Sequence, residues 1–240
     1  MPRSRRLASV CLSALAQFAS GCAPGWFTRA DALQKTDVAG AYAIAAEAQD
    51  RETSPQNYLA SLMAAIYADR MGKYDLARKH LDFAVSDVGS NPLWVRAEAW
   101  RERASVEVSE AFAGFAKDQP SEDRFDPRAI IDRMDGLSDA LRKADADMEM
   151  AIEIRHREGT RELERRYRLE RAGYRRVADN IEGARDLFDI AASAGKDSES
   201  RKVQLLEAVM RRFAAMERSL TEMCQDCEER HRQDAAKSGG

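Results

Sequence analysis

One constellation in the sequence has the spacing of metal ligands or of redox thiols. Cys224, Cys227 and His231 stand at i, i+3 and i+7, so on a helix all three point along one face. Three such ligands can hold a structural zinc if a fourth comes from elsewhere. The two cysteines also continue an apolar seam of Met216, Leu220 and Met223, which would make them buried thiols or a local disulfide. No second Cys pair completes a familiar finger, and a thioredoxin-like role would need the Cys-x-x-Cys beside a βα unit, of which there is no pattern. Cys224, Cys227 and His231 remain an incomplete ligand set, and no metal or cofactor is assigned.

Elsewhere the residues that carry catalysis are sparse. There is no G-x-S-x-G elbow, no phosphate-cradling G-x-x-x-x-G-K, no H-E-x-x-H and no dinucleotide fingerprint. His80, His156 and His231 are far apart in sequence, and each reads as a polar residue on a helix exterior. Asp145 and Glu149 fall at i, i+4, a spacing common on solvated faces. The chain is not expected to be an enzyme.

The strongest charge feature is the segment 155–176, with nine Arg against four Glu, a local excess of +5 in a chain whose formal charge is −3. Arg157, Arg161, Arg165, Arg168 and Arg175 can share one helical face. Guanidinium forks suit phosphate and carboxylate, so these five are candidate partner-binding residues for an acidic protein surface, a lipid headgroup or an anionic envelope polymer. The alternative is a solvated helix laced by Glu162–Arg166 and Glu164–Arg168 pairs.

These residues must be positioned by helices. The 240 residues are 44% hydrophobic, 33% charged and only 7% aromatic, with 6 Pro, which excludes a disordered chain and favours an all-α fold over a β protein. Ser54-Pro55 and Asn91-Pro92 each offer an N-cap before Pro, and Gly72 offers a stop. Helices are expected near 37–50, 55–71, 73–88 and 92–117, followed by a polar linker over 118–128. Beyond it Ile130, Met134, Leu137, Leu141, Ala144, Met148 and Ile152 form an amphipathic stripe. Val203, Leu206, Met210, Phe213, Met216, Leu220, Met223 and Cys227 form another. The region 129–228 is thus expected to be built of long amphipathic helices, and 229–240 a disordered tail.

The amino terminus has the plan of an export signal. Arg3, Arg5 and Arg6 precede a 12-residue apolar core, Leu7 to Phe18, too short to span a bilayer. It ends in Ala19-Ser20-Gly21-Cys22, which resembles the bacterial lipobox, with Ala19 where that family usually has Leu. The resemblance implies cleavage after residue 21, diacylglycerol on the Cys22 thiol and a lipidated tether over 22–36. Ala23-Pro24-Gly25 follow the cysteine where Asp would favour the inner membrane, so outer-membrane attachment on the periplasmic face is expected. Trp26 and Phe27 are placed to sit at the membrane interface or to pack on the first helix. Removal of residues 1–21 takes away three Arg and no acid, changing −3 to −6, and no nucleic-acid partner is expected.

A repeat underlies the helical pattern. Tyr74-x2-Ala77-x3-Leu81-x2-Ala84, with Gly72 before it, returns as Ile181-x2-Ala184-x3-Phe188-x2-Ala191 and as Val38-x2-Ala41-x3-Ala45. This resembles the second helix of a tetratricopeptide (TPR) unit, and Pro55, Pro92 and Pro127 recur near that family's period. The resemblance implies an α-solenoid of TPR-like hairpins over 37–117 and a further unit near 165–195. Stacked helix pairs of that kind make concave surfaces for peptides or proteins. The expected function is a lipid-anchored periplasmic adaptor or envelope assembly factor with a protein partner. The alternatives are a metal- or thiol-dependent envelope enzyme or sensor using Cys224, Cys227 and His231, and a structural linker binding anionic envelope polymers through the Arg-rich helix.

Overall fold

The computed structural model describes residues 24–86, 91–117 and 127–193, with the backbone alone at 115–117, 127–131 and 191–193, and residues 204, 207, 208, 211 and 212. Among the described residues the fold is all-α. Its helices are α1 (Gly25–Leu33), α2 (Val38–Arg51), α3 (Gln56–Arg70), α4 (Tyr74–Ala84), α5 (Leu93–Lys117), α6 (Pro127–Arg157) and α7 (Arg161–Ser193). Each packs on the next in the chain, and α3 also touches α5.

Short polar signals set the helix ends. Asp37 caps α2 by accepting from the Gly40 N–H at 2.8 Å. Gly72 ends α3 at φ 69°: its N–H reaches Asp69 O at 2.7 Å and Lys73 N–H reaches Ala68 O at 2.9 Å, the paired bonds of a Schellman stop. Gly159, at φ 73°, ends α6 in the same way, with Thr160 N–H on Arg155 O at 3.2 Å. Left-handed backbone at both positions suits glycine because it lacks a Cβ.

Two of the expected caps are made differently. Pro55, not Ser54, precedes α3, and no side chain caps that helix. Asn91 turns backward, donating from Nδ2 to Ala84 O at 2.8 Å and Ser86 O at 2.9 Å, so it closes α4, while Pro92 O accepts the first bond of α5 from Arg96. The tether region also differs, since residues 25–33 form α1. Its Trp26 is 5% exposed and Ala30 fully buried, so burial of the indole holds α1 on the body.

There are two apolar cores. Eleven of the twenty buried residues in the first, built from α1 to α4 and one side of α5, are alanine, which allows the helices to approach closely. Tyr58 and Ala60 through Ala68 of α3 are all buried, as befits a helix wrapped on every side. The second core joins α6 and α7 to the other side of α5. Val95, Ala99 and Val106 face the first core, and Ala97, Ala104 and Val108 the second. Helix α5 is therefore a wall common to both cores.

The repeat frame marks buried positions: Ala41, Ala45, Ala77, Leu81, Ala84, Ile181, Ala184 and Phe188 are all at most 4% exposed. Residues 165–193, however, lie within the uninterrupted helix α7. They do not form the helix pair that a further TPR-like unit would require there.

Candidate functional site

The expected arginine face is divided by the Gly159 turn. Arg157 belongs to the last turn of α6, where it pairs with Glu153, while Arg161, Arg165, Arg168 and Arg175 belong to α7. Arg175 is turned to α6, bonding Asp145 through Nε and Nη2, the latter at 3.0 Å. Arg171 grips the same carboxylate at 2.8 and 3.0 Å and reaches Glu149 at 3.0 Å. Asp145 and Glu149 thus tie α6 to α7. Burial pushes the Asp145 carboxyl up, but the Arg171 and Arg175 guanidiniums overcome this and hold it at about 2.

Arg161, Arg165 and Arg168 remain together at the start of α7. With His156, Gly159 and Glu164 they line an open depression of about 490 Å³. Arg168 holds Glu164 at 2.6 Å, and His156 Nδ1 lies 3.2 Å from the same carboxylate. Glu162 pairs with Arg165 at 3.5 Å. Arg161 is exposed, and among the described residues no ion pair engages it. Chemically, the depression offers guanidinium donors to an anion.

Below this surface is a charge network that the sequence reading did not anticipate. Glu98, Arg101 and Arg155 are each 3% exposed. Arg155 donates to Glu98 Oε1 at 2.8 Å from Nη2 and to Glu158 at 2.8 Å from Nη1. The Tyr167 hydroxyl donates to Glu98 and accepts from Arg155 Nη2 at 3.2 Å. Arg101 Nε bonds Glu170 at 2.8 Å, and Tyr174 donates to Glu170 at 3.2 Å. Burial and the neighbouring carboxylates raise the Tyr167 and Tyr174 phenols well above their usual range, so both remain donors.

The contacts Glu98–Tyr167 and Arg101–Glu170 share a sequence offset of 69, as two parallel helices in fixed register must. Its centre, Glu98, Arg101, Arg155 and Tyr167, is buried, with Glu158 and Glu170 at the partly exposed edge, and what it can do is lock α5, α6 and α7 in that register. A signal for it was present in the sequence. Apolar residues occupy two faces of α5, so the acids and bases between them at 98, 101 and 102 had no fully solvated face available.

Two further groups depart from their sequence reading. His80 is half-buried, with Nδ1 2.7 Å from Gln49 Oε1 and Nε2 3.2 Å from the Tyr42 hydroxyl. It joins α4 to α2 and does not simply decorate a helix exterior, and burial lowers its pKa. Asp69 keeps one buried oxygen, Oδ1, without a hydrogen-bond partner, and burial raises its carboxyl to about 6.

The sign of the Asp69 effect follows from that direction. The folded chain binds this proton more tightly than the unfolded one, so the group's contribution to stability declines as pH rises from about 4 to about 6 and is most adverse above. Asp69→Asn is expected to stabilise the protein by on the order of 2 kcal/mol at about pH 8 and hardly at all at about pH 4. Urea unfolding at the two pH values measures this, and an equal gain at both would contradict it.

Cys22, Cys224, Cys227 and His231 lie outside the described residues. Among the described residues no group of three His, Cys, Asp or Glu could hold a metal ion, and no helix is long and apolar enough to cross a membrane. The chain matches no family model, no curated protein and no solved structure.

Proposed function

We propose that this chain is a lipid-anchored, non-enzymatic helical protein of the bacterial envelope, attached through Cys22 at the periplasmic face of the outer membrane, and that it binds a protein partner as an adaptor or assembly factor. The observation that carries the reading is Ser20-Gly21-Cys22 closing a 12-residue apolar core behind three arginines. The architecture supports the binding role. Successive antiparallel helices α2, α3 and α4 meet through alanine-rich faces, the construction from which TPR-like hairpins build protein-binding surfaces.

The test compares the native chain with Cys22→Ser by membrane fractionation and intact mass. An acylated Cys22 in the outer-membrane fraction, lost in the variant, is expected. A soluble native chain retaining residues 1–21 would overturn the reading. Cross-linking in living cells then tests the partner: failure to capture any envelope protein, under conditions in which a known adaptor succeeds, would remove the binding role.

The arginine-lined depression favours a second reading, a structural linker to anionic envelope polymers. Such binding would weaken steeply with salt.

A further inference from the structure

Resting on the lipid-anchor reading, we infer that the end of the bundle carrying the α6–α7 turn docks on anionic phospholipid headgroups, with Arg161, Arg165 and Arg168 as its contacts. The first argument is length. Helix α1 begins at Gly25, so only Ala23 and Pro24 separate it from Cys22, and the three residues 22–24 reach at most about 10 Å. A body joined so closely to its acyl chains has no stalk on which to stand away from the bilayer.

The second argument is direction. Arg70 donates to Gln34 at 3.1 Å, and Asp31, one turn earlier on α1, acts electrostatically on Tyr67, the corresponding turn of α3. Helices α1 and α3 are therefore parallel. The start of α3 lies beside the end of α4, where Tyr58 stacks on Phe83 at 4.9 Å. Asn91 joins that end to the start of α5, and Glu98 of α5 meets Arg155 near the end of α6. The amino end of α1 thus points toward the same end of the bundle as the amino end of α7.

The third argument is charge. Arg155, Arg171 and Arg175 are engaged by Glu98, Asp145 and Glu149, whereas Arg161, Arg165 and Arg168 line the open depression, three cations against the Glu162 and Glu164 carboxylates that pair with Arg165 and Arg168. Guanidinium forks match phosphate diester oxygens in geometry and charge. The exposed acids Glu47 and Asp50 at this end belong to α2, which packs on α1 and α3, whereas the arginines stand on α7, which packs on α6, with the exposed Glu162 among them.

The experiment uses the unlipidated mature chain, residues 22–240 with Cys22→Ser, sedimented with vesicles of equimolar phosphatidylglycerol and phosphatidylethanolamine or with neutral phosphatidylcholine vesicles. Binding to the anionic vesicles alone, falling steeply with salt, is expected. Arg161→Glu/Arg165→Glu should lower the partition coefficient at least about 20-fold, from roughly one fivefold step per arginine. Lys35→Glu/Lys73→Glu makes the same charge change in the α1–α2 and α3–α4 turns, at the opposite end, and should have little effect.

Indifference to lipid charge, absence of binding, or equal loss in the two double variants would overturn the docking face. Acylation of Cys22 is read separately by mass. An acylated chain whose unlipidated form ignores anionic vesicles overturns the docking face alone, and vesicle binding without acylation overturns the anchor alone.

Discussion

Glu98→Ala is expected to destabilise the protein by about 3–5 kcal/mol, the range for removing one partner from a buried ion pair. Glu98 accepts from both Arg155 and Tyr167, and all three residues are about 3% exposed. Without the carboxylate Arg155 retains Glu158 and the Tyr167 oxygen, but the Tyr167 phenol loses its acceptor and the buried Arg155 and Arg101 cations lose a shared counter-charge. The desolvation already incurred by those groups is then uncompensated.

Glu162→Ala is the matching control. That carboxylate is 72% exposed and pairs with Arg165 at 3.5 Å, so its loss should cost less than about 0.5 kcal/mol. Urea midpoints at constant m-value separate the two. A Glu98→Ala protein within about 1 kcal/mol of the parent would show that water reaches the network. Combining Glu98→Leu, Arg155→Met and Tyr167→Phe should recover part of the loss, because the centre of the network is then apolar, although Glu158 loses Arg155 and Arg101 keeps Glu170 but not Glu98.

Leu81→Ala is the second large expectation, at about 3–5 kcal/mol. Leu81 is fully buried in α4, in the core where eleven of twenty buried residues are alanine. The cost of deleting a side chain depends on how far its neighbours can collapse into the space. Alanine has no rotamer with which to refill a void, which places this site in the upper part of the range for such substitutions. Leu76→Ala, on the same helix but only partly buried, should cost about half as much. Similar losses at the two positions would mean that Leu81 is not closed in as the structure places it.

The legible part of the fold was the part governed by period and caps. Met134, Leu137, Leu141, Ala144 and Met148 were read as one apolar stripe and are buried as one, because a 3.6-residue recurrence of large side chains has no stable alternative in water. Gly72 was read as a stop and ends α3 at a positive φ. Helix α1 was not legible. Nine residues with Trp26 and Ala30 as their only buried side chains carry little periodic signal, and such a short helix persists through tertiary packing.

The candidate site was legible in composition and not in arrangement. Nine arginines in 155–176 stand out in any reading, yet Arg155 is in a buried network, Arg171 and Arg175 clasp Asp145, and Arg161, Arg165 and Arg168 at the start of α7 line an open depression. The Gly159 turn separates Arg157 from the other four, so a shared face inferred from helical spacing does not exist. The metal-ligand spacing of Cys224, Cys227 and His231 lies outside the described residues.

By itself, then, the sequence determined that the chain is helical, which positions face inward, and where several of the helices start and stop. These are local consequences of side-chain period, capping groups and backbone freedom. Only the tertiary structure decided that α5 serves two cores and that Glu98, Arg101 and Arg155 are withdrawn from water. The reason is that period specifies a face and not the helix that covers it. Whether a charge is solvated or desolvated depends wholly on that cover.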